Sequence, residues 1–510
     1  MEPVLLSVTS RTAAFELIDA DGPLLDAPLD VRLNGEAAGR TARAVFTLDE
    51  LQPGRDYAVR VGDGPETAFR TKEETAALDV RRFGAQGDGI HDDTGALQAA
   101  IAACPAGGTV MVPPGLWSCG PLFLKSGVTI YLQSGATLCG HAGRGSYPIL
   151  PGRIERSGGP DLFLGSWEGD PDDSYASLLT GIGVEDAAIV GGGVIDGNAA
   201  AGDWWDHPKE KLEARRPRTL FLNDCRNVLV QGVTVRNSPA WTIHPLFSRE
   251  LRFHGLIIEN PKDSPNTDGL DPESCEDVEI VGVRFSVGDD CIAIKSGKIF
   301  LGKLLKRPSR NIRIRRCLME HGHGAVVIGS EMAGGVRDVE VSHCLFRQTD
   351  RGLRIKTRRG RGADGVIDTI VLSHVRMDRV ADPFVVNCFY FCDPDGKSDY
   401  VQNRAPMPVD ERTPEVRNIR FEHVEATGAR HAACYLLGLT ERPITGVVIR
   451  DVHVAFDKDA EPAPPAMACN VEPLARAGYV LINVENPVIE NATAAGAVGP
   501  LFRELGDQES

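Results

Sequence analysis

At 510 residues the chain is too long for an ordinary single domain, so two domains, one of them a solenoid whose turns pack only on their neighbours, fit best. Hydrophobic residues at 42% and charged residues at 25% are those of a globular protein, and no apolar run approaches the roughly 20 residues that span a bilayer, which argues against a membrane role. The net charge of −16 argues against nucleic acid as a partner, because that needs a broad basic surface. The start, Met1-Glu2-Pro3-Val4-Leu5-Leu6, lacks the basic residues and sustained apolar stretch of a secretory signal. The expected location is cytoplasmic if the sequence is complete, and periplasmic or secreted if a signal has been removed. Twelve cysteines without paired metal-ligand spacing are expected as small buried residues.

Residues 1–74 read as short alternating strands around 4–6, 14–17, 29–33 and 44–48, separated by turn residues, which predicts a small β-sandwich. The stretch 51–61, Leu-Gln-Pro-Gly-Arg-Asp-Tyr-Ala-Val-Arg-Val, resembles the late strands of fibronectin type III modules, with Tyr57 placed as a corner tyrosine. The character changes after Thr71-Lys72-Glu73-Glu74, so residues 75–510 are expected to form the second domain. Asp92-Asp93-Thr94 is a helix start, and Leu97, Ala100 and Ile101 give the helix an apolar face. With the strands that follow, the block from Phe83 to Leu138 resembles the opening of pectinase-type parallel β-helices, in which such a helix caps the first coil.

An Asn or acidic residue followed by apolar alternation recurs at Asn227, Glu250, Asp277, Asn311, Asp338 and Asn418, and an alternating run without that leader follows at Val447. The first four intervals, 23, 27, 34 and 27 residues, suit one coil of a parallel β-helix with loops of variable length. The expected fold class is therefore all-β: a right-handed parallel β-helix preceded by a small β-sandwich. Such a coil stacks equivalent residues at about 4.8 Å. Asp268, Asp289, His323, Arg354 and Tyr390 follow one another at 21 to 36 residues, one coil apart, and so can line one groove.

Asp289 and Asp290 would point to opposite faces of a regular strand, so both reach the groove only if the backbone bends, for which Gly288 is placed. Crowded carboxylates raise the proton affinity of at least one member, and glycoside hydrolysis needs that division between a proton donor and a water-activating base. Arg354 and Lys356 alternate onto one strand face and suit an anionic sugar, Arg through paired hydrogen bonds and Lys as a point charge. Arg358, Arg359 and Arg361 are expected to be a solvated basic extension of that strand.

Asn266-Thr267-Asp268, Gly288-Asp289-Asp290, Gly322-His323-Gly324 and Arg354-Ile355-Lys356 resemble, in order, the four motifs of the polygalacturonases, glycoside hydrolase family 28. The resemblance implies an inverting hydrolase of α-1,4-galacturonosyl bonds, with galacturonan polysaccharide or oligosaccharide as its partner and no cofactor or metal. By it Asp289 is the general acid, Asp268 and Asp290 hold and activate the water, and His323 keeps the acid protonated. Substrate contacts fall to Arg354, Lys356, Asn266 and Tyr390. In an inverting enzyme the acid and base carboxylates stand about 6.5–9.5 Å apart. The N-terminal module and the insertions near 140–180 and 298–310 resemble exo-acting members. A calcium-dependent pectate lyase, which would give an unsaturated product and lose activity with chelator, and a noncatalytic pectin-binding β-helix are the alternatives; the latter gives no reason for the Asp pair beside Gly288.

Overall fold

The computed structural model describes residues 1–505, and in it two antiparallel sheets precede a long parallel coil. Pro3–Val8, Ala13–Leu17 and Val45–Leu48 form one sheet; Leu24–Leu33, Glu36–Arg43, Asp56–Val61 and Glu66–Arg70 form the other. Their inner faces bury Phe15, Leu17, Val31, Val59 and Phe69. The Tyr57 hydroxyl accepts a bond from the Gln52 backbone N–H at 2.9 Å, pinning the corner that leads into its strand. Two strands are additions to the sequence reading. Glu36–Arg43 and Glu66–Arg70 are the outer strands of the four-stranded sheet, mostly exposed, and so carry little of the apolar alternation that marks a strand.

The next strand, Ala77–Asp79, pairs in parallel with Thr109–Met111 and opens the coil. The helix Thr94–Ala103 buries Leu97, Ala100 and Ile101 against it. Asp92 supports the helix start by accepting from the Thr94 N–H at 3.0 Å, whereas the buried Asp93 accepts from Gln86 and Gly87 and holds the preceding loop.

Along the coil, Val228, Leu251, Val278, Ile312, Val339, Ile370 and Ile419 pair one above another and fill the interior. The leading residue of each repeat explains itself here. Asn227, Glu250, Asp277, Asn311, Asp338 and Asn418 all hold φ between 51 and 57°, a left-handed kink that Asn and Asp tolerate better than most side chains. Gly446, at φ 66°, fills the same role before Val447. Nine of the twelve cysteines are buried, as small filler residues should be, while Cys392 is exposed.

A second face of the coil is built from Leu220–Asn223, Ile243–Leu246, Ile292–Ile294, Val326–Ile328, Arg351–Lys356 and Asp382–Asn387. Bridges from Ile243 to Leu270 and from Leu270 to Ile292 make that face continuous. The candidate site stands along its leading edge. The sandwich sits on a different corner, where Ser7 donates to Gln231 at 2.6 Å and Glu16 pairs with Arg315 at 3.0 Å and Arg316 at 3.3 Å.

Candidate active site

The chain leaves strand geometry after Arg284–Ser286 and does not regain it until Ile292–Ile294, so Asp289 and Asp290 escape the alternation that would separate them. Gly288 is required by close approach: a Cβ there would lie 2.3 Å from the Ser264 carbonyl oxygen. Its N–H donates to Thr267 Oγ1 at 3.2 Å, and Gly269 N–H donates to the Asp290 carbonyl at 2.9 Å, joining the turn of Asp268 to the turn of the Asp pair. One oxygen from each of Asp268, Asp289 and Asp290 consequently lies within 4.8 Å of the others.

That is closer than the spacing of about 6.5–9.5 Å expected of a two-carboxylate inverting site. Asp268 stands one coil from the Asp pair, at the strand spacing of about 4.8 Å, and Asp289 and Asp290 are consecutive residues of one turn. Two carboxylate oxygens at such a distance can share one water between them.

The environment divides the cluster. Asp290 is 1% exposed; burial would raise its pKa, but Lys356 Nζ at 2.9 Å and Arg354 Nη1 at 3.9 Å outweigh it and hold the carboxyl below its usual range. Asp268 forms no ion pair among the described residues, and the charge of Lys295 does not offset its burial. Burial, followed by the charges of Asp289 and Asp271, pushes it well above the ordinary value, and its Oδ1 has no hydrogen-bond partner among the described residues. Asp289 is half-buried and meets His323 Nδ1 at 3.2 Å. That bond, together with the charges of Asp289, Asp290 and Asp350, raises the His323 pKa against the effect of burial.

Arg354 and Lys356 lie 5.8 and 5.6 Å from the ring of Tyr390, which is 6% exposed and accepts a bond from Cys392 Sγ at 2.8 Å. Asn266 stands further back, with its Oδ1 accepting from Arg216 Nη2 at 2.6 Å. The solvated reading of Arg358, Arg359 and Arg361 is wrong. The strand ends at Lys356, the chain turns inward, and all three are buried on acidic partners: Arg358 on Asp395, Arg359 on Glu441 and Arg361 on Asp393, each at 2.7 Å.

Several groups at the site escape sequence reasoning. Asp271, fully buried, has both carboxylate oxygens unpartnered among the described residues, and burial raises its pKa well above normal. Lys295 pairs with Glu331 at 3.2 Å; burial would lower its pKa, but Glu331, Asp271 and Asp268 raise it. Asp271 and Lys295 lie beside the motifs in sequence, yet no spacing distinguishes them from structural residues. Trp167, in the insertion near 140–180, packs over Arg218 of the coil at 5.3 Å, a pairing that nothing local in the sequence announces.

A parallel coil that presents one carboxyl raised in pKa, one lowered and one bonded to histidine, beside two cations, is suited to acid/base hydrolysis of an anionic chain. The chain belongs to the glycosyl hydrolases family 28, whose profile matches residues 163–470. A second profile, rhamnogalacturonase A/epimerase, pectate lyase-like, matches residues 77–150. An exo-poly-alpha-D-galacturonosidase of Dickeya chrysanthemi is 27% identical over 76% of this chain and 70% of its own. An endo-polygalacturonase of Pectobacterium carotovorum is 31% identical over 58% of this chain and 72% of its own. The solved family 28 exopolygalacturonase of Yersinia enterocolitica shares the fold, with a TM-score of 0.70 over 99% of this chain and 98% of that one at 19% identity.

Proposed function

We propose that this chain hydrolyses the α-1,4 bonds of polygalacturonate or its oligomers, removing units from a chain end with inversion at the anomeric carbon. The observation that carries the reading is the convergence of three carboxylates beside Lys356 and Arg354, with the pKa of Asp268 raised and that of Asp290 lowered. Asp289, bonded to His323, protonates the leaving oxygen. Asp290, kept ionised by Lys356, takes the proton of a water that it holds together with Asp268. Arg354, Lys356 and Tyr390 receive the sugar and its carboxylate, and Asn266 acts from the edge of the site, oriented by Arg216. We assign residues 1–74 to an accessory sandwich, expected to be fibronectin type III-like, and 75–510 to the catalytic coil.

Chain-end action is supported by an insertion that lies across the groove. The hairpin of Ser166–Trp167 and Asp170–Pro171 covers the sheet face, with Trp167 stacked on Trp241 at 6.3 Å. The test is product analysis on defined oligogalacturonides. Monomer alone from the outset is expected, released first as the β anomer in proton NMR. Mixed short oligomers would rule out chain-end action, and an unsaturated, ultraviolet-absorbing product would replace hydrolysis with elimination. Asp289→Asn is expected to lose about 10²- to 10⁴-fold in kcat, the usual contribution of a general acid.

A further inference from the structure

We propose that Lys298 is the specificity-determining residue that latches the groove shut at one end, and so confines cleavage to chain ends; the inference rests on the chain-end reading above. Three inserted segments meet at its ammonium. Lys298 Nζ lies 3.4 Å from Asp393, 3.6 Å from Asp170 and 4.0 Å from Glu168. Glu168 and Asp170 belong to the hairpin across the groove, and Asp393 to the segment that follows Tyr390. The Lys298 backbone N–H also donates to the Gly169 carbonyl at 2.9 Å, so one residue grips the hairpin by both its backbone and its charges.

The hairpin lies flat on the sheet face. A Cβ on Gly169 would stand 2.8 Å from Glu331 Cγ, and Glu331 is the partner of Lys295 in the floor of the groove. Beneath the hairpin, Arg218 sits 5.3 Å from the Trp167 ring and 4.8 Å from Trp241. An extended sugar chain running along the coils past Asp268 towards the N-terminal turns meets this strap instead of open surface.

The strap does not hold itself. Its strands pair only Ser166 with Pro171 and Trp167 with Asp170, too little for a stable free hairpin. It also brings two carboxylates towards a third, Asp393, whose other cations are Arg361 at 2.7 Å and Arg358 at 3.1 Å. Like charges at such range repel unless a cation stands among them, and Lys298 is the cation facing all three. The Lys298 side chain is 18% exposed, so its attraction is only partly screened by solvent. Trp167 keeps one edge of the strap packed, so loss of the ammonium loosens the closure and leaves the coil folded.

The experiment compares wild type, Lys298→Met and Lys298→Arg on polygalacturonate, reading product lengths and the viscosity loss per reducing end formed. Lys298→Met should release mixed oligomers with viscosity loss per end up about tenfold, equivalent to about 1.4 kcal/mol in the opening equilibrium. Its kcat on trigalacturonide should stay at the wild-type value, and Lys298→Arg should restore monomer release. Should Lys298→Met fail to fold, Glu168→Gln with Asp170→Asn removes the same contacts from the strap side and must give the same products. Monomer alone from both wild type and these variants overturns the latch while leaving the chain-end reading intact. Mixed oligomers from wild type overturn both.

Discussion

In the proposed mechanism Asp289 and His323 work together across their 3.2 Å contact. That bond and the charges of Asp289, Asp290 and Asp350 raise the His323 pKa, so the imidazole stays charged to higher pH than a free one and loses its proton as pH rises through the raised value. His323→Ala should move the alkaline limb of the kcat/KM profile to lower pH and leave the acid limb, assigned to the proposed base Asp290, in place. A pH profile of the variant that superimposes on wild type after scaling would remove His323 from the acid. The residues of this pair were legible because Gly288-Asp289-Asp290 and Gly322-His323-Gly324 are contiguous motifs. The directions of the pKa shifts in the cluster were not, because they depend on burial and on cations from other coils: Lys356 bonded to Asp290, and for Asp268 only the weaker charge of Lys295. The inward turn of Arg358, Arg359 and Arg361 was illegible for the same reason, since Asp395, Glu441 and Asp393 come from later segments.

The coil is legible as an element because every repeat needs the same awkward backbone at the same place. Asn311, at φ 54°, donates from its side chain to Asp277 one coil below, so the residue both permits the kink and links neighbouring turns. A β-branched side chain there meets the steric penalty of left-handed backbone, whereas glycine loses only the side-chain bond. Asn311→Val should thus be less stable than Asn311→Gly by about 1–2 kcal/mol, read from urea midpoints of the two variants. Equal midpoints would mean that the coil relaxes the kink at no cost. Strands of the sandwich were legible where they are buried and apolar, as in Ala13–Leu17, and lost where the strand is a polar edge, as in Glu36–Arg43. Loops that cross the groove were visible only as insertions; their ties to Lys298 join segments more than 90 residues apart in sequence, and no local pattern carries such pairings.

At the scale of the whole molecule, the sandwich is fused to the coil by buried polar contacts, and this makes it part of the catalytic unit's stability. Ser7 donates to Gln231 and meets His254, Thr12 accepts from Gln231 Nε2 at 2.8 Å, and a Cβ on Gly282 would lie 2.3 Å from Val45 Cβ. The aromatic rings of the module pack on one another, Phe15 stacked on Phe46 and Tyr57 on Phe69, with Phe15 edge-on to Phe69. Glu16 is the charged centre of the joint: it faces Arg315 and the buried Arg316, which also donates to the carbonyls of Ile18 and Ala20. Removing Glu16 leaves the Arg316 guanidinium buried with carbonyl acceptors alone, a loss of about 1–3 kcal/mol. All five tryptophans, Trp117, Trp167, Trp204, Trp205 and Trp241, lie in the coil, so their fluorescence reports on the coil and not on the module. Glu16→Ala should lower the urea midpoint of that fluorescence even though the substitution lies in the sandwich. A module that merely hangs from the coil would instead give an unchanged tryptophan midpoint, with an earlier transition seen only by circular dichroism.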